Sequence, residues 1–230
     1  MYIVLGNGLL GSEICKESGW VTISRKDGFD FNNNGDILSV IEKHKPSTIV
    51  NCIANTDTYS DDKELHWKTN YESLAFLVDT CVKKNIKLVH ISTDYVYTGS
   101  KAGASENDVP VHCNSWYGYT KLIGDAYVQL KMKDYLIIRC SHKPYPFPYS
   151  RGLVSQVGNF DYVDVITSLI VKLINKNRVG IYNVGTEPKT VYELAKQTSR
   201  YIKPMYNVLN PAMPTNITMD ITKMKEEVNL

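Results

Sequence analysis

The chain has 230 residues, 43% hydrophobic and 22% charged, with 26 Lys and Arg against 24 Asp and Glu for a net charge of +2. That length and balance bury a sizeable core, in one large domain or one domain with an appendage, and exclude the disordered and fibrous classes. So small a net charge excludes nucleic-acid or membrane binding driven by electrostatics and leaves a small-molecule ligand as the default.

From the first residues onward, short β-branched runs alternate with segments of helical period, the pattern of a parallel α/β sheet. Tyr2-Ile3-Val4-Leu5 reads as the first strand, which leaves no room for a secretory signal. No apolar run reaches membrane-spanning length, and the expected location is the cytoplasm. Further strands are expected at 20–24, 47–54, 87–93 and 135–140, mostly apolar because both sheet faces are covered. Leu74, Leu77, Val78, Cys81 and Val82 recur at helical spacing within 70–84, as do Tyr119, Leu122, Ile123, Ala126, Tyr127 and Leu130 within 116–132. The prolines and glycine of KPYPFPYSRG (143–152) break the pattern and mark a boundary. Beyond it, a helix is expected over 161–176 and a strand over 180–185. Thr190 with Glu193 forms a capping box that opens a helix to Ile202, and the tail from Pro204 reads as loose. Five widely spaced cysteines (Cys15, Cys52, Cys81, Cys113, Cys140) form no C-x-x-C pair and are expected to be buried thiols in a reducing compartment.

Gly6-Asn7-Gly8-Leu9-Leu10-Gly11 is a G-x-G-x-x-G between the first strand and a helix. Gly6 permits the tight turn, Gly8 lets the backbone approach a pyrophosphate, and Gly11 lets helix and strand pack closely. The helix N-terminus then faces the phosphates, with Leu9 and Leu10 at the contact. This defines residues 1–142 as a Rossmann-type doubly wound domain for a dinucleotide, with 143–230 a reduced C-terminal α/β substrate-binding part, packed on the first or interleaved with it. The second strand ends Ser24-Arg25-Lys26 where an acidic residue would hold an adenosine 2′-hydroxyl. Arg25 and Lys26 suit a 2′-phosphate, so NADP (NADPH) is expected over NAD, with Asp27 the counter-indication.

Tyr117 and Lys121 lie four apart on a helix and share a face. A free tyrosine has a pKa of about 10, too high for an efficient proton carrier. A neighbouring ammonium, helped by an oxidised nicotinamide, is expected to lower it. Thr93 stands just past a strand's C-terminal end, where open α/β sheets bind ligands. ISTDYVYTG (91–99) followed by YGYTK (117–121) resembles the S-T-D-Y-V-F and Y-x-x-x-K pair of the extended short-chain dehydrogenase/reductases, and among them most the dTDP-4-dehydrorhamnose reductase family. Residues 50–64, Asn70, GIYNVG (180–185) and TMDITK (218–223) fall in the same order as that family's segments. The resemblance implies that Lys121 also grips the nicotinamide ribose and that Thr93 bonds the reacting oxygen. It further implies cofactor contacts at Asp30, Phe31, Ile53, Ala54, Asn55 and Ser92, and substrate contacts at Asp94, Tyr95, Asn114 and His142. Related helices pair in dimers, and a homodimer through 70–84 and 116–132 is expected.

Sugar-nucleotide dehydratases carry Asp-Glu after the threonine, whereas this chain has Asp94-Tyr95. Hydride transfer to a nucleoside-diphosphate 4-keto-6-deoxy sugar is therefore expected over dehydration. The alternatives are a C4 epimerase and a catalytically idle NADP-binding homologue that holds a partner protein. The family's R-T-S-W is Arg139-Cys140-Ser141-His142 here, so His142 replaces a tryptophan, as a ligand contact or a loop side chain. The segment from Arg139 to 161 is short for the family and lacks a helix that would cover substrate. His44, His66, His90 and His112 show no metal-ligand spacing, and no metal is expected.

Overall fold

A computed structural model describes residues 1–108, 115–206, 210 and 212–229. In chain order its elements are β1 (Tyr2–Leu5), α1 (Leu9–Ser18), β2 (Val21–Ile23), α2 (Asn34–His44), β3 (Thr48–Asn51), α3 (Lys63–Trp67), α4 (Ser73–Lys84), β4 (Lys87–Thr93), α5 (Trp116–Lys131) and β5 (Tyr135–Cys140). There follow β6 (His142–Lys143), β7 (Arg151–Leu153), β8 (Val157–Gly158), β9 (Asp161–Tyr162), α6 (Val163–Asn175), β10 (Gly180–Val184), β11 (Lys189–Thr190), α7 (Val191–Lys196), β12 (Lys203–Met205), β13 (Asn216–Ile217) and α8 (Thr222–Val228).

Six strands form one sheet in the order β10-β5-β4-β3-β1-β2, and every pairing in it is parallel. Successive strand side chains point to opposite faces. Ile3, Leu5, Ile49, Leu88 and Ile137 therefore pack with Ile37 of α2, Leu74 and Leu77 of α4 and Val128 of α5. Their neighbours Val4, Val50, Val89, Leu136 and Ile138 pack on the other side with Ile14 of α1, Ile166 and Ile170 of α6 and Met224 of α8. Each fully buried side chain of this size contributes roughly 1.5–3 kcal/mol, so the two covered faces dominate stability and the fold is a doubly wound α/β sheet. β2 lies on one side of β1 and β3 on the other. That reversal opens a crevice at the C-terminal ends of the strands, where such sheets take ligands.

Beyond β5 the chain leaves the sheet for a small outlying layer and then returns. Gly180 to Val184 of β10 pair in register with Leu136 to Cys140 of β5. The outlying strands form β6-β9, β7-β12 and β11-β8-β13. They enclose a second, smaller core that includes Phe147, Leu153, Phe160, Tyr162 and Leu194.

Several element limits differ from the sequence expectations, each for a local reason. The strand expected at 47–54 stops at Asn51, whose side-chain oxygen accepts from Ile53 N–H at 3.1 Å and turns the chain toward the crevice. The helix expected over 70–84 begins earlier, as α3 runs through a π-helical turn at Lys68–Glu72 into α4. Asp161 and Tyr162 pair with β6, so α6 starts at Val163. The Thr190–Glu193 capping box is present, yet α7 ends at Lys196 instead of Ile202. There the Thr198 hydroxyl lies 2.6 Å from Tyr162 Oη and accepts from Phe147 N–H, which draws the chain off the helix. The described residues of the tail are ordered: β12, β13 and α8 lie among them, and Met219 N–H donates to Asn159 Oδ1 at 2.7 Å. Cys81 and Cys140 are buried thiols, whereas Cys15 and Cys52 are half-buried; Cys113 lies outside the described residues.

Candidate active site

The turn after β1 has the contacts its glycines suggest. Gly6 sits at φ 100°, in the left-handed region, and a Cβ there would meet Ile53 Cγ1 at 2.9 Å. A Cβ on Gly11 would fall 2.0 Å from the Gly6 carbonyl oxygen, so helix and strand could not approach as they do. A Cβ on Gly8 would meet nothing within 4 Å, and no side chain caps the N-terminus of α1 there. The open side of the turn thus offers unpaired amides and space, the requirements of a pyrophosphate. A cleft of about 860 Å³ runs from this turn across the sheet to Tyr117 and Lys143.

Gly6, Gly8, Leu9, Leu10 and Gly11 line one end of the cleft. Arg25 and Lys26 line it beyond β2, followed by Asp30 and Phe31. Asp27 turns away: its carboxylate accepts from Ser24 N–H at 2.9 Å and the Ser24 hydroxyl at 3.0 Å. Ile53, Ala54 and Asn55 line the floor after β3, and Ser92 lines it from β4. Asn55 N–H donates to Asn70 Oδ1 at 2.8 Å, while Asn70 Nδ2 reaches Thr120 Oγ1 on α5 at 3.1 Å. The π-helical turn therefore aims Asn70 between the cleft floor and α5, and such turns frequently mark functional sites.

Thr93, Asp94, Tyr95, Tyr117, Lys121 and His142 line the other end. Ser115 caps the N-terminus of α5, its hydroxyl accepting from Gly118 N–H at 3.1 Å. Tyr117 falls in its first turn and Lys121 one turn on. The Tyr117 phenol faces Thr93, whose hydroxyl donates to Asp94 Oδ1 at 3.2 Å and accepts from Tyr95 N–H at 3.2 Å. The Tyr95 ring stands edge-on to Tyr117 at 6.1 Å, with its hydroxyl 2.7 Å from that of Tyr59.

The Tyr117 pKa is displaced upward, against the sequence expectation. Burial dominates and the nearby Asp94 adds to it, outweighing the lowering influence of the Thr93 hydroxyl. Lys121 donates to the Ile91 carbonyl at 2.7 Å and lies 3.1 Å from His90 Nε2, so these contacts of its ammonium are with β4. Burial brings the Lys121 ammonium down to about 8, with Asp125 opposing. Burial likewise pushes Asp94 up to about 6, and burial with Lys143 lowers His142 to about 4. His142 is therefore neutral near pH 7.

Asn114 lies outside the described residues. The cleft also includes residues that the sequence reading had not singled out as site residues. Asn7, within the glycine turn, was legible from its place in the motif. Thr56 and Thr58 fall within the 50–64 stretch that resembles the family, whereas Lys143 carried no such signal. His66 is buried behind Tyr117, ring centres 6.3 Å apart, with Nε2 against the Asp57 carbonyl at 3.1 Å.

A doubly wound parallel sheet with a glycine turn after β1, a threonine at the end of β4 and Tyr-x-x-x-Lys on the next helix defines an extended short-chain dehydrogenase/reductase. The family model described as RmlD substrate binding domain matches residues 1–143, more than half of the chain, and the protein belongs to that family. A dTDP-4-dehydrorhamnose reductase of Aggregatibacter actinomycetemcomitans is 24% identical over 236 residues, which cover 86% of this chain and 80% of the relative. A dTDP-4-keto-6-deoxy-D-glucose reductase of Streptomyces niveus is 30% identical over 210 residues, which cover 79% of this chain and 69% of the relative. Among solved structures, dTDP-4-dehydrorhamnose reductase of Bacillus anthracis in complex with NADP superposes with a TM-score of 0.84 at 23% identity, covering 98% of this chain and 92% of that one.

Proposed function

We propose that this chain reduces the keto group of a nucleoside-diphosphate 4-keto-6-deoxy sugar with NADPH. One observation carries the proposal: Tyr117 and Thr93 line the same cleft as the uncapped glycine turn, so a proton donor and a dinucleotide cradle face one space. The names of the relatives supply the substrate class. When bound, the cofactor supplies the hydride.

The residues around the cleft do the rest. A phenol whose pKa burial has raised keeps its proton near neutrality, which suits it to protonate the alkoxide that hydride addition leaves at C4. Thr93 orients the reacting oxygen beside that phenol. Lys121 holds positive charge under the developing anion, where a dry site makes charge count most. Arg25 and Lys26 take the adenosine 2′-phosphate, and the withdrawal of Asp27 onto Ser24 supports NADP over NAD. Asp94, Tyr95, His142 and Asn114 contact the sugar. Residues 143–230 are a reduced substrate-binding region, from which α6 and β10 are lent to the main sheet. The protein works in the cytoplasm as a homodimer across α4 and α5, whose outer faces expose Val82, Tyr119 and Leu130. Sedimentation at the mass of one chain at micromolar concentration would remove the dimer.

The deciding experiment mixes the protein with NADPH and a dTDP-linked 4-keto-6-deoxyhexose and follows absorbance loss and product. NADPH oxidation matched by a 4-hydroxy sugar nucleotide is expected. Tight NADPH binding without turnover on dTDP- or UDP-linked 4-keto sugars would replace an enzyme with a binding module.

A further inference from the structure

We propose that His90, a buried histidine on β4 outside the chemistry described above, is a positioning residue for Lys121: its neutral ring accepts a hydrogen bond from the ammonium and holds it at the cleft. The inference rests on the proposed catalytic pair of Tyr117 and Lys121.

His90 is 1% exposed and its ring faces α5. Nε2 lies 3.1 Å from Lys121 Nζ and 3.8 Å from Asp125 Oδ1. An ammonium has three protons and no lone pair. The Ile91 carbonyl takes one of these protons at 2.7 Å and His90 Nε2 the second, which leaves the third for the cleft that Lys121 lines. Nε2 must then be an acceptor, so the ring is neutral with its proton on Nδ1. Burial first, and the lysine charge second, keep the ring from ionising, in agreement with that tautomer. Nδ1 has no hydrogen-bond partner among the described residues. A buried donor left unpaired destabilises the fold, so packing alone would favour an apolar side chain here.

The groups around the pair complete the arrangement. Asp125, one turn beyond Lys121, bonds Arg139 Nε on β5 at 3.0 Å, and Arg139 bonds the Tyr97 hydroxyl at 2.7 Å. Asp125 also favours the Lys121 charge. The Cys52 and Cys140 thiols near Lys121 are pushed up by burial and stay uncharged near neutrality. With burial bringing the Lys121 ammonium down to about 8, loss of an acceptor it faces changes how much ammonium remains at working pH. Replacing the imidazole by an apolar group lowers the lysine pKa, because the ammonium loses an acceptor and stays desolvated.

The test measures NADPH affinity of the full chain against pH for the wild type, His90→Leu and His90→Gln, with the folded state of each checked by thermal melting. Wild-type affinity is expected to fall as pH rises through about 8. In His90→Leu the fall moves down by about one pH unit, making binding at the wild-type midpoint several-fold weaker. His90→Gln, whose amide oxygen restores an acceptor, returns the midpoint. A folded His90→Leu with an unmoved midpoint, equal weakening by Leu and Gln at all pH values, or a wild type without the pH-dependent fall would each overturn the inference. Wild-type binding with the expected midpoint shifts but no turnover on any sugar nucleotide would sink the proposed reduction and leave the positioning role standing.

Discussion

From β1 to β5 the side chains that hold the fold recur every second residue, Ile3 and Leu5 toward one helical layer and Val4 toward the other, whereas beyond Cys140 single polar groups pin short strands in place. Asn159 shows the second manner. Its Nδ2 donates to the Thr186 carbonyl at 2.8 Å, its Oδ1 accepts from Met219 N–H at 2.7 Å, and a Cβ on neighbouring Gly185 would lie 2.2 Å from its backbone oxygen. Asp161 adds a pair with Lys189 at 2.8 Å and a bond from the Thr186 hydroxyl at 2.7 Å. A layered apolar core tolerates change by repacking, whereas a polar pin has one geometry.

Four substitutions put this contrast to work. Tyr117→Phe removes the proposed proton donor from the first region with its packing intact. kcat is expected to drop by about 10²–10⁴ while NADPH affinity, read by fluorescence titration, holds; undiminished turnover would take Tyr117 out of the chemistry. Asp125→Ala leaves Arg139 buried without its carboxylate. Urea unfolding should show a loss of about 3–5 kcal/mol, and a loss under 1 kcal/mol would mean that the layered core absorbs even a broken ion pair. Arg25→Ala at the edge of the cleft should weaken NADPH roughly tenfold by loss of a charge-assisted bond and leave NADH unchanged; equal weakening of both would deny the 2′-phosphate contact. Lys189→Met tests a pin.

For that last variant the sign is set by Asp161. Burial raises its carboxyl pKa, but Lys189, Thr186 and the Tyr162 amide together bring it below the ordinary 3.8. A depressed folded pKa stabilises the protein above the unfolded value and is lost as pH falls through the folded one. Lys189→Met should therefore cost about 1 kcal/mol near neutrality, with the difference from wild type shrinking as pH falls below the ordinary carboxyl value. A pH-independent difference in thermal denaturation would assign the loss to packing.

The same contrast explains what was legible in the sequence. β1, β4, β5 and α5 were visible because layers impose periods of two and 3.6 on the apolar residues, and the glycine turn was visible because its close contacts admit only glycine. The early end of α7 was hidden, since it depends on Thr198 meeting Tyr162 thirty-six positions earlier in the chain. The tail looked loose for the same reason: Met219 is ordered by Asn159, a partner that no local pattern reveals. At the site, Tyr117, Lys121 and Thr93 carried a motif. The upward displacement of the Tyr117 pKa did not, because burial and the direction of the lysine ammonium arise only on folding. His90 has no metal-ligand spacing to mark it, and its nearness to Lys121 comes from the packing of α5 on β4.

The return of the chain to place β10 beside β5 has a consequence for how the molecule comes into being. A chain that has emerged only as far as Lys143 possesses the glycine turn and Tyr117 but presents β5, with its unpaired backbone groups and apolar Leu136, Ile137 and Ile138, as a bare edge. Such an edge is a template for the strands of other chains. Closing it requires a contact between residues 44 positions apart, Leu136 with Gly180, and contacts of that separation form slowly. The segment between them is thus also the tether whose length sets how long a nascent copy stays open to aggregation.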